Sequence, residues 1–202
     1  MDFVLAIPNN LPDALCDDMV ARFEADPHQG EGVCGGGAIQ KHVKDSTDVC
    51  INPNGPEGWE DTLEQLEAAL RHGYDQYKAY LKRLHPSLPA TLPHQSDLRG
   101  YTTMNIQRSL PGQGFTWHHD SCVQNRAERK VTFVWYLNSL PDAELDGGGT
   151  DFVYKTVQPQ KGTLVLFPSS WTALHRGVPV KRNAKYIATG WLSALGGQFY
   201  TY

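Results

Sequence analysis

The sequence predicts an α+β chain, with helices first and a β-sandwich or barrel after them. Glu60 to His85 repeats apolar side chains at helical spacing. From Tyr101 onward, short β-branched and aromatic runs alternate with Gly, Pro, Asn and Asp turns. Gly 19 and Pro 13 in a chain of 202 residues give a turn-rich balance that favours sheet over a helical bundle. Residues 1–202 read as one domain, with 1–98 a helix-rich support and 99–195 a sheet-rich core.

Residues 2–7 (DFVLAI) form a short apolar strand candidate. Leu11-Pro12-Asp13 then opens a helix to about Ala25, with Leu15, Met19, Val20 and Phe23 on one face. Residues 27–38 (PHQGEGVCGGGA) lack the preceding strand and following helix of a phosphate-binding loop, so they read as a flexible lid. Val43 to Ile51 is a weak strand and 52–58 a turn. On the long helix, Leu63, Leu66, Leu70, Tyr74, Tyr77 and Leu81 make a core-facing stripe, while His72 and His85 fall to the surface. Seven strands follow, near 101–109, 114–118, 130–138, 150–154, 163–167, 173–178 and 184–193.

Eighteen Lys and Arg against 22 Asp and Glu leave a net charge of −4, which gives no electrostatic footprint for nucleic acid or an anionic membrane. The first residues lack a basic region, their apolar run stops at Pro8, and no stretch approaches membrane-spanning length. Cys16, Cys34, Cys50 and Cys122 are scattered without CxxC spacing. Reduced thiols and a cytoplasmic location are the expectation.

Residues 117–120 read Trp-His-His-Asp. At a strand end His118 and Asp120 share a face, and His119 points the other way. His175 supplies a third group after the apolar strand 162–167 and a Pro168-Ser-Ser turn. Two imidazoles and one carboxylate suit a facial triad for non-haem Fe(II), and the same set can hold zinc. Ten residues on, Lys185 shares a strand face with Ile187, Thr189 and Trp191. An inward lysine there needs an anion beside it; an edge-strand lysine facing solvent is the alternative.

The run Lys130-Val-Thr-Phe-Val-Trp-Tyr-Leu-Asn138, then Gly147-Gly-Gly-Thr-Asp-Phe152, then Pro159-Gln-Lys-Gly-Thr-Leu-Val-Leu-Phe167, then His175-Arg-Gly-Val-Pro-Val180, resembles the 2-oxoglutarate- and Fe(II)-dependent dioxygenases. The nearest group is the prolyl 4-hydroxylase-type catalytic domain. The resemblance spans Asn105 to Leu192. It implies a double-stranded β-helix (jelly-roll) core with N-terminal helices packed on one sheet. It implies His118, Asp120 and His175 as iron ligands, and Lys185 as partner of the distal carboxylate of 2-oxoglutarate. Thr150 and Tyr136 support that carboxylate, and Trp191 lies beside the cosubstrate.

Nine residues before His118, where the family commonly has Tyr, this chain has Ser109. Tyr101 or a water is then a candidate to fill the gap, and Arg182 is a second candidate cation. The reaction implied is oxidative decarboxylation of 2-oxoglutarate to succinate and CO2, coupled to hydroxylation of an aliphatic C–H by O2, with ascorbate as a possible reductant. Asp120 favours hydroxylation over halogenation.

The expected substrate is a prolyl or other amino-acid residue in a peptide or protein, in a groove lined by Arg108, Trp117, Arg126, Trp135 and Trp171. Residues 27–38 and 41–48 are candidate covers for that groove. A hydroxylase of a free amino acid or small metabolite is the alternative within enzymes. Outside them stand a non-catalytic cupin-like ligand-binding protein and a plain interaction domain.

Overall fold

A computed structural model of the chain describes residues 2–34, 37–51, 55–92, 98–124 and 127–195. They are mostly β-sheet with two α-helices. In chain order the elements are β1 (Leu5–Ile7), α1 (Asp13–Ala25), β2 (Gly30–Glu31), β3 (Thr47–Cys50) and α2 (Glu60–Leu84). Then come β4 (Leu98–Ser109), β5 (Phe115–His118), β6 (Val123–Gln124), β7 (Ala127–Tyr136), β8 (Thr150–Phe152) and β9 (Lys155–Val157). The last elements among the described residues are β10 (Leu164–Pro168), β11 (His175–Gly177) and β12 (Lys185–Leu195).

Local chemistry explains both helix starts and the long helix's ends. Pro12 stands at the N-cap of α1, where a missing N–H costs nothing because no intrahelical partner exists for it. Glu60 and Asp61 open α2, and Lys82 and Arg83 close it, each sign complementing the helix dipole at its end.

The strands form two sheets. The large one runs β1-β10-β7-β12-β4-β3-β2, with β6 paired to β7, and the small one runs β5-β11-β8-β9. Period-two alternation along β7 divides the molecule. Val131, Phe133 and Trp135 join one apolar cluster with Leu63, Leu66, Leu70, Tyr74, Tyr77 and Leu81 of α2 and with Met19 and Phe23 of α1. Val134 and Tyr136 join a second cluster with Phe152 of the small sheet and Phe167 of β10. One face of the large sheet is thus covered by helices, and the other meets the small sheet. Each fully buried Leu or Phe contributes about 1.5–3 kcal/mol. α2 lies so close to β10 that a Cβ added at Gly73 would stand 2.3 Å from Leu164 Cδ2.

The expected strands are present within a few residues. β9 and the two-residue β2 and β6 were not expected, because runs this short carry no periodicity. The weak strand at 43–51 divides in two: β3 pairs with β4 in the large sheet, while residues 43–45 add to the free edge of β5 in the small sheet.

Candidate metal centre

β5 and β11 pair so that His118 stands directly opposite His175. Their rings lie 4.2 Å apart, centroid to centroid. Asp120, two residues beyond the end of β5, turns its carboxylate between them. Its Oδ1 is 3.8 Å from His118 Nε2 and its Oδ2 is 3.6 Å from His175 Nε2. The candidate ligand atoms of the three residues all lie within 4.8 Å of one another.

Both imidazoles are already oriented. His118 Nδ1–H donates to Thr116 O at 2.7 Å, and His175 Nδ1–H donates to Ala173 O at 2.9 Å. That fixes the tautomer in which both Nε2 lone pairs are free for a metal. Burial, reinforced by His175, pushes the His118 imidazole down to about 4, so the ring is neutral and can ligate at neutral pH. Thr132 Oγ1 donates to Asp120 Oδ2 at 2.8 Å and shares a 2.9 Å hydrogen bond with Ser169 Oγ. The carboxylate is therefore held from behind.

Residues 104–193 match the family model of the 2OG-Fe(II) oxygenase superfamily. A PKHD-type hydroxylase of Synechococcus sp. (strain CC9902) is 27% identical over 103 residues, covering 48% of this chain and 44% of that protein. Over residues 104–193 the chain is similar to the 2OG-Fe(II) oxygenase superfamily. It spans less than half the length of that curated relative.

The fold is shared with the 2OG complex of the viral collagen prolyl hydroxylase from Paramecium Bursaria Chlorella virus-1, with TM-score 0.66, 21% identity, and 96% and 97% of the two chains covered. It is also shared with a Trichoplax adhaerens prolyl hydroxylase bound to a hypoxia inducible factor peptide fragment, with TM-score 0.72, 18% identity, and 96% and 84% covered. That superfamily uses Fe(II), 2-oxoglutarate and O2, and the donor set of His118, Asp120 and His175 fits such an iron.

A second group of side chains, the expected Lys185, Tyr136 and Thr150, lies close together. Lys185 opens β12 and is only 7% exposed. Among the described residues no carboxylate is recorded as its partner, and its ammonium lies 5.5 Å from the centre of the Tyr136 ring. Burial alone pulls it from 10.5 down to about 8. The fully buried Tyr136 donates its hydroxyl to Thr150 Oγ1 at 2.7 Å, and desolvation raises its phenol. Lys185, Tyr136 and Thr150 thus come together in the space between the sheets, with a cation that has no anion beside it among the described residues. Ser109 stands directly across from Lys185. The side chain of Tyr101 lies outside the described residues. Arg182 is committed elsewhere, its Nε 2.7 Å from Asp146 Oδ1.

Three expected groove residues face away, for one reason. Side chains alternate along a strand, so the neighbour of an inward residue points outward. Trp135, next to Tyr136, lies on the helix side and donates Nε1–H to Asn10 Oδ1 at 2.7 Å. Arg108, next to Ser109, reaches Glu24 of α1 at 2.8 and 2.9 Å. Trp117, next to His118, is 44% exposed on the outer face of the small sheet, beneath the Arg176 guanidinium. Arg126 lies outside the described residues.

Trp191 is in the inward register opposite Thr132 and is covered by the Arg129 guanidinium, 3.5 Å from its ring centre. No contact places it against Lys185, Tyr136 or Thr150. Arg129 is a residue that sequence reasoning missed. Its Nε and the indole Nε1 of Trp191 are buried donors without acceptors among the described residues, and Arg129 lies near enough to Asp120 to feel its charge. Thr132 and Ser169 were also missed. The inward alternation Thr132, Val134, Tyr136 was the available signal for the first.

Proposed function

We propose that this protein is an Fe(II)- and 2-oxoglutarate-dependent hydroxylase of an aliphatic C–H, acting on a prolyl or other amino-acid residue within a peptide or protein. The observation that carries the reading is Lys185, a buried cation with no carboxylate partner among the described residues, beside the Tyr136–Thr150 pair and between the same two sheets as the His-Asp-His set. A cupin-like binding protein could hold an anion on the same cation, and succinate formation separates the two readings.

In this reading His118, Asp120 and His175 would hold the iron, which with 2-oxoglutarate would supply the O2 chemistry that hydroxylates a C–H with release of succinate and CO2. Lys185 pairs with the distal carboxylate, and Tyr136 and Thr150 fix its orientation. Thr132 and Ser169 keep Asp120 aimed. Arg129 and Trp191 present two N–H donors to an acceptor on the substrate, either a peptide carbonyl or a free carboxylate. Trp191 accordingly serves the substrate rather than the cosubstrate.

Strands β4, β7, β10 and β12 in the large sheet and β5, β8, β9 and β11 in the small one are the eight strands of a double-stranded β-helix in this reading. Residues 99–195 form the catalytic core, and 1–98 support it. Among the described residues no helix is long and apolar enough to cross a membrane.

The test is succinate formation with Fe(II), 2-oxoglutarate and O2 against a panel of capped proline-containing peptides and free amino acids. Oxygen incorporation into a capped peptide is the expected result. Incorporation into free amino acids alone moves the substrate to the small-metabolite class. No succinate with any substrate or without one, from protein that binds iron, defeats the reading.

A further inference from the structure

The two imidazoles of the metal centre are held very differently. His175 sits on the interior strand β11, 7% exposed, with the rings of Phe167 at 4.7 Å and Phe152 at 5.8 Å. The apolar core itself fixes it. His118 closes β5, a four-residue strand at the edge of the small sheet, whose pairing to β11 shifts register between His175 and Gly177. A short edge strand with an irregular ladder is a poor mount for a metal ligand.

Two features make up the difference. The Phe115 ring stacks on the His118 imidazole at 3.6 Å between centroids and 16° between planes. The edge of β5 is also paired to residues 43–45. Thr116 N donates to Val43 O at 2.8 Å, Asp45 N donates to Gly114 O at 2.9 Å, and Lys44 bridges Phe115. Thr116 is the residue whose carbonyl accepts from His118 Nδ1. One residue, Thr116, thus links this segment to the imidazole through its N–H and its carbonyl.

From there the chain crosses to β3 in the large sheet, so residues 43–48 strap the two sheets together. A buried clasp closes the strap. Asp48 takes the Lys44 ammonium, Ser46 Oγ at 2.7 Å and Gln107 Nε2 at 3.1 Å. Lys44 is 6% exposed.

We propose that this strap, acting through Phe115 and Thr116, positions the His118 imidazole for the metal, with Phe115, Lys44 and Asp48 as positioning residues. The inference rests on His118 being a metal ligand. Stacking stops the ring from rotating about its bond to Cβ, and the bond to Thr116 sets its tilt. The strap holds the backbone from which both act. Outer partners of metal-bound imidazoles are typically worth about 10–100-fold in metal affinity.

The test is titration of the metal-free full chain with Co(II) under anaerobic conditions, read by visible absorption, with thermal unfolding of each metal-free variant in parallel. Phe115→Leu is expected to weaken Co(II) binding at least about tenfold and to alter the band, with the metal-free unfolding temperature nearly unchanged. Phe115→Tyr keeps the stacked ring and is expected to restore the affinity.

The double variant Lys44→Met/Asp48→Leu opens the clasp without stranding a buried charge, and is expected to weaken binding similarly. It also decides the question should Phe115→Leu not fold. His118→Ala separates the two readings. If it abolishes binding while Phe115→Leu or the double variant binds as the parent does, the strap proposal is overturned and the metal centre stands. If His118→Ala itself binds as the parent does, both fall.

Discussion

Lys185→Met removes the buried ammonium while keeping nearly the same volume. In the protein without cosubstrate the charge is a cost: burial lowers the group from 10.5 to about 8, which at about 1.4 kcal/mol per unit is roughly 3 kcal/mol. The sign follows from proton counting. Below pH 8 the lysine is charged both folded and unfolded, so the whole penalty is present. Between 8 and 10.5 the folded protein sheds its proton first and the penalty is relieved, so stability rises with pH.

The variant is therefore expected to unfold several degrees higher than the parent at pH 7, at about 2–4 °C per kcal/mol for a chain of this size, with the gap closing toward pH 10. A cosubstrate carboxylate that pairs the ammonium recovers the same energy, so the variant should bind 2-oxoglutarate about 100-fold more weakly. Thermal unfolding of metal-free protein across the pH range and equilibrium titration with 2-oxoglutarate measure the two halves. A variant less stable than the parent at pH 7, or one that binds 2-oxoglutarate as the parent does, refutes the reasoning.

Three further predictions test the surroundings. Thr132→Val removes the donor to Asp120 and should weaken divalent-metal binding about 10–100-fold by titration, with the fold retained in circular dichroism. Arg129→Ala should lower substrate-stimulated succinate formation about 10–100-fold, whereas Arg108→Ala, on the opposite face, should lose about 1 kcal/mol of stability in a denaturant melt at unchanged turnover. Gly73→Ala pushes a methyl into Leu164 and should cost about 1–3 kcal/mol in the same melt, without touching metal affinity.

Much of this was legible in the sequence because it is local and periodic. The α2 stripe from Leu63 to Leu81 follows from helical spacing, and it is buried as read. His118 and Asp120 share a side because they are two apart, and His175 follows the apolar β10 by the length of one turn and one short helix. The same rule of two, applied to Trp117, Arg108 and Trp135, places each of them opposite the site. Aromatic or cationic chemistry alone does not say which face a side chain takes; register beside His118, Ser109 and Tyr136 does.

What stayed hidden depends on pairing between distant segments. Nothing in Lys44 or Asp48 alone says that they clasp across two sheets. Arg129 acquires meaning only once Trp191, from a strand sixty residues on, lies beneath it. Thr132 likewise becomes a support only when β10 brings Ser169 beside it.

The central claim is that the His-Asp-His set and Lys185 together hold iron and 2-oxoglutarate. Anaerobic titration of the metal-stripped protein with Fe(II) and then 2-oxoglutarate tests it most directly, with Asp120→Ala and Lys185→Ala alongside. The account predicts the weak visible charge-transfer band of a chelated 2-oxo acid in the parent, lost in Asp120→Ala and appearing only at far higher 2-oxoglutarate in Lys185→Ala. Iron bound by the parent with no such band at any 2-oxoglutarate concentration contradicts it.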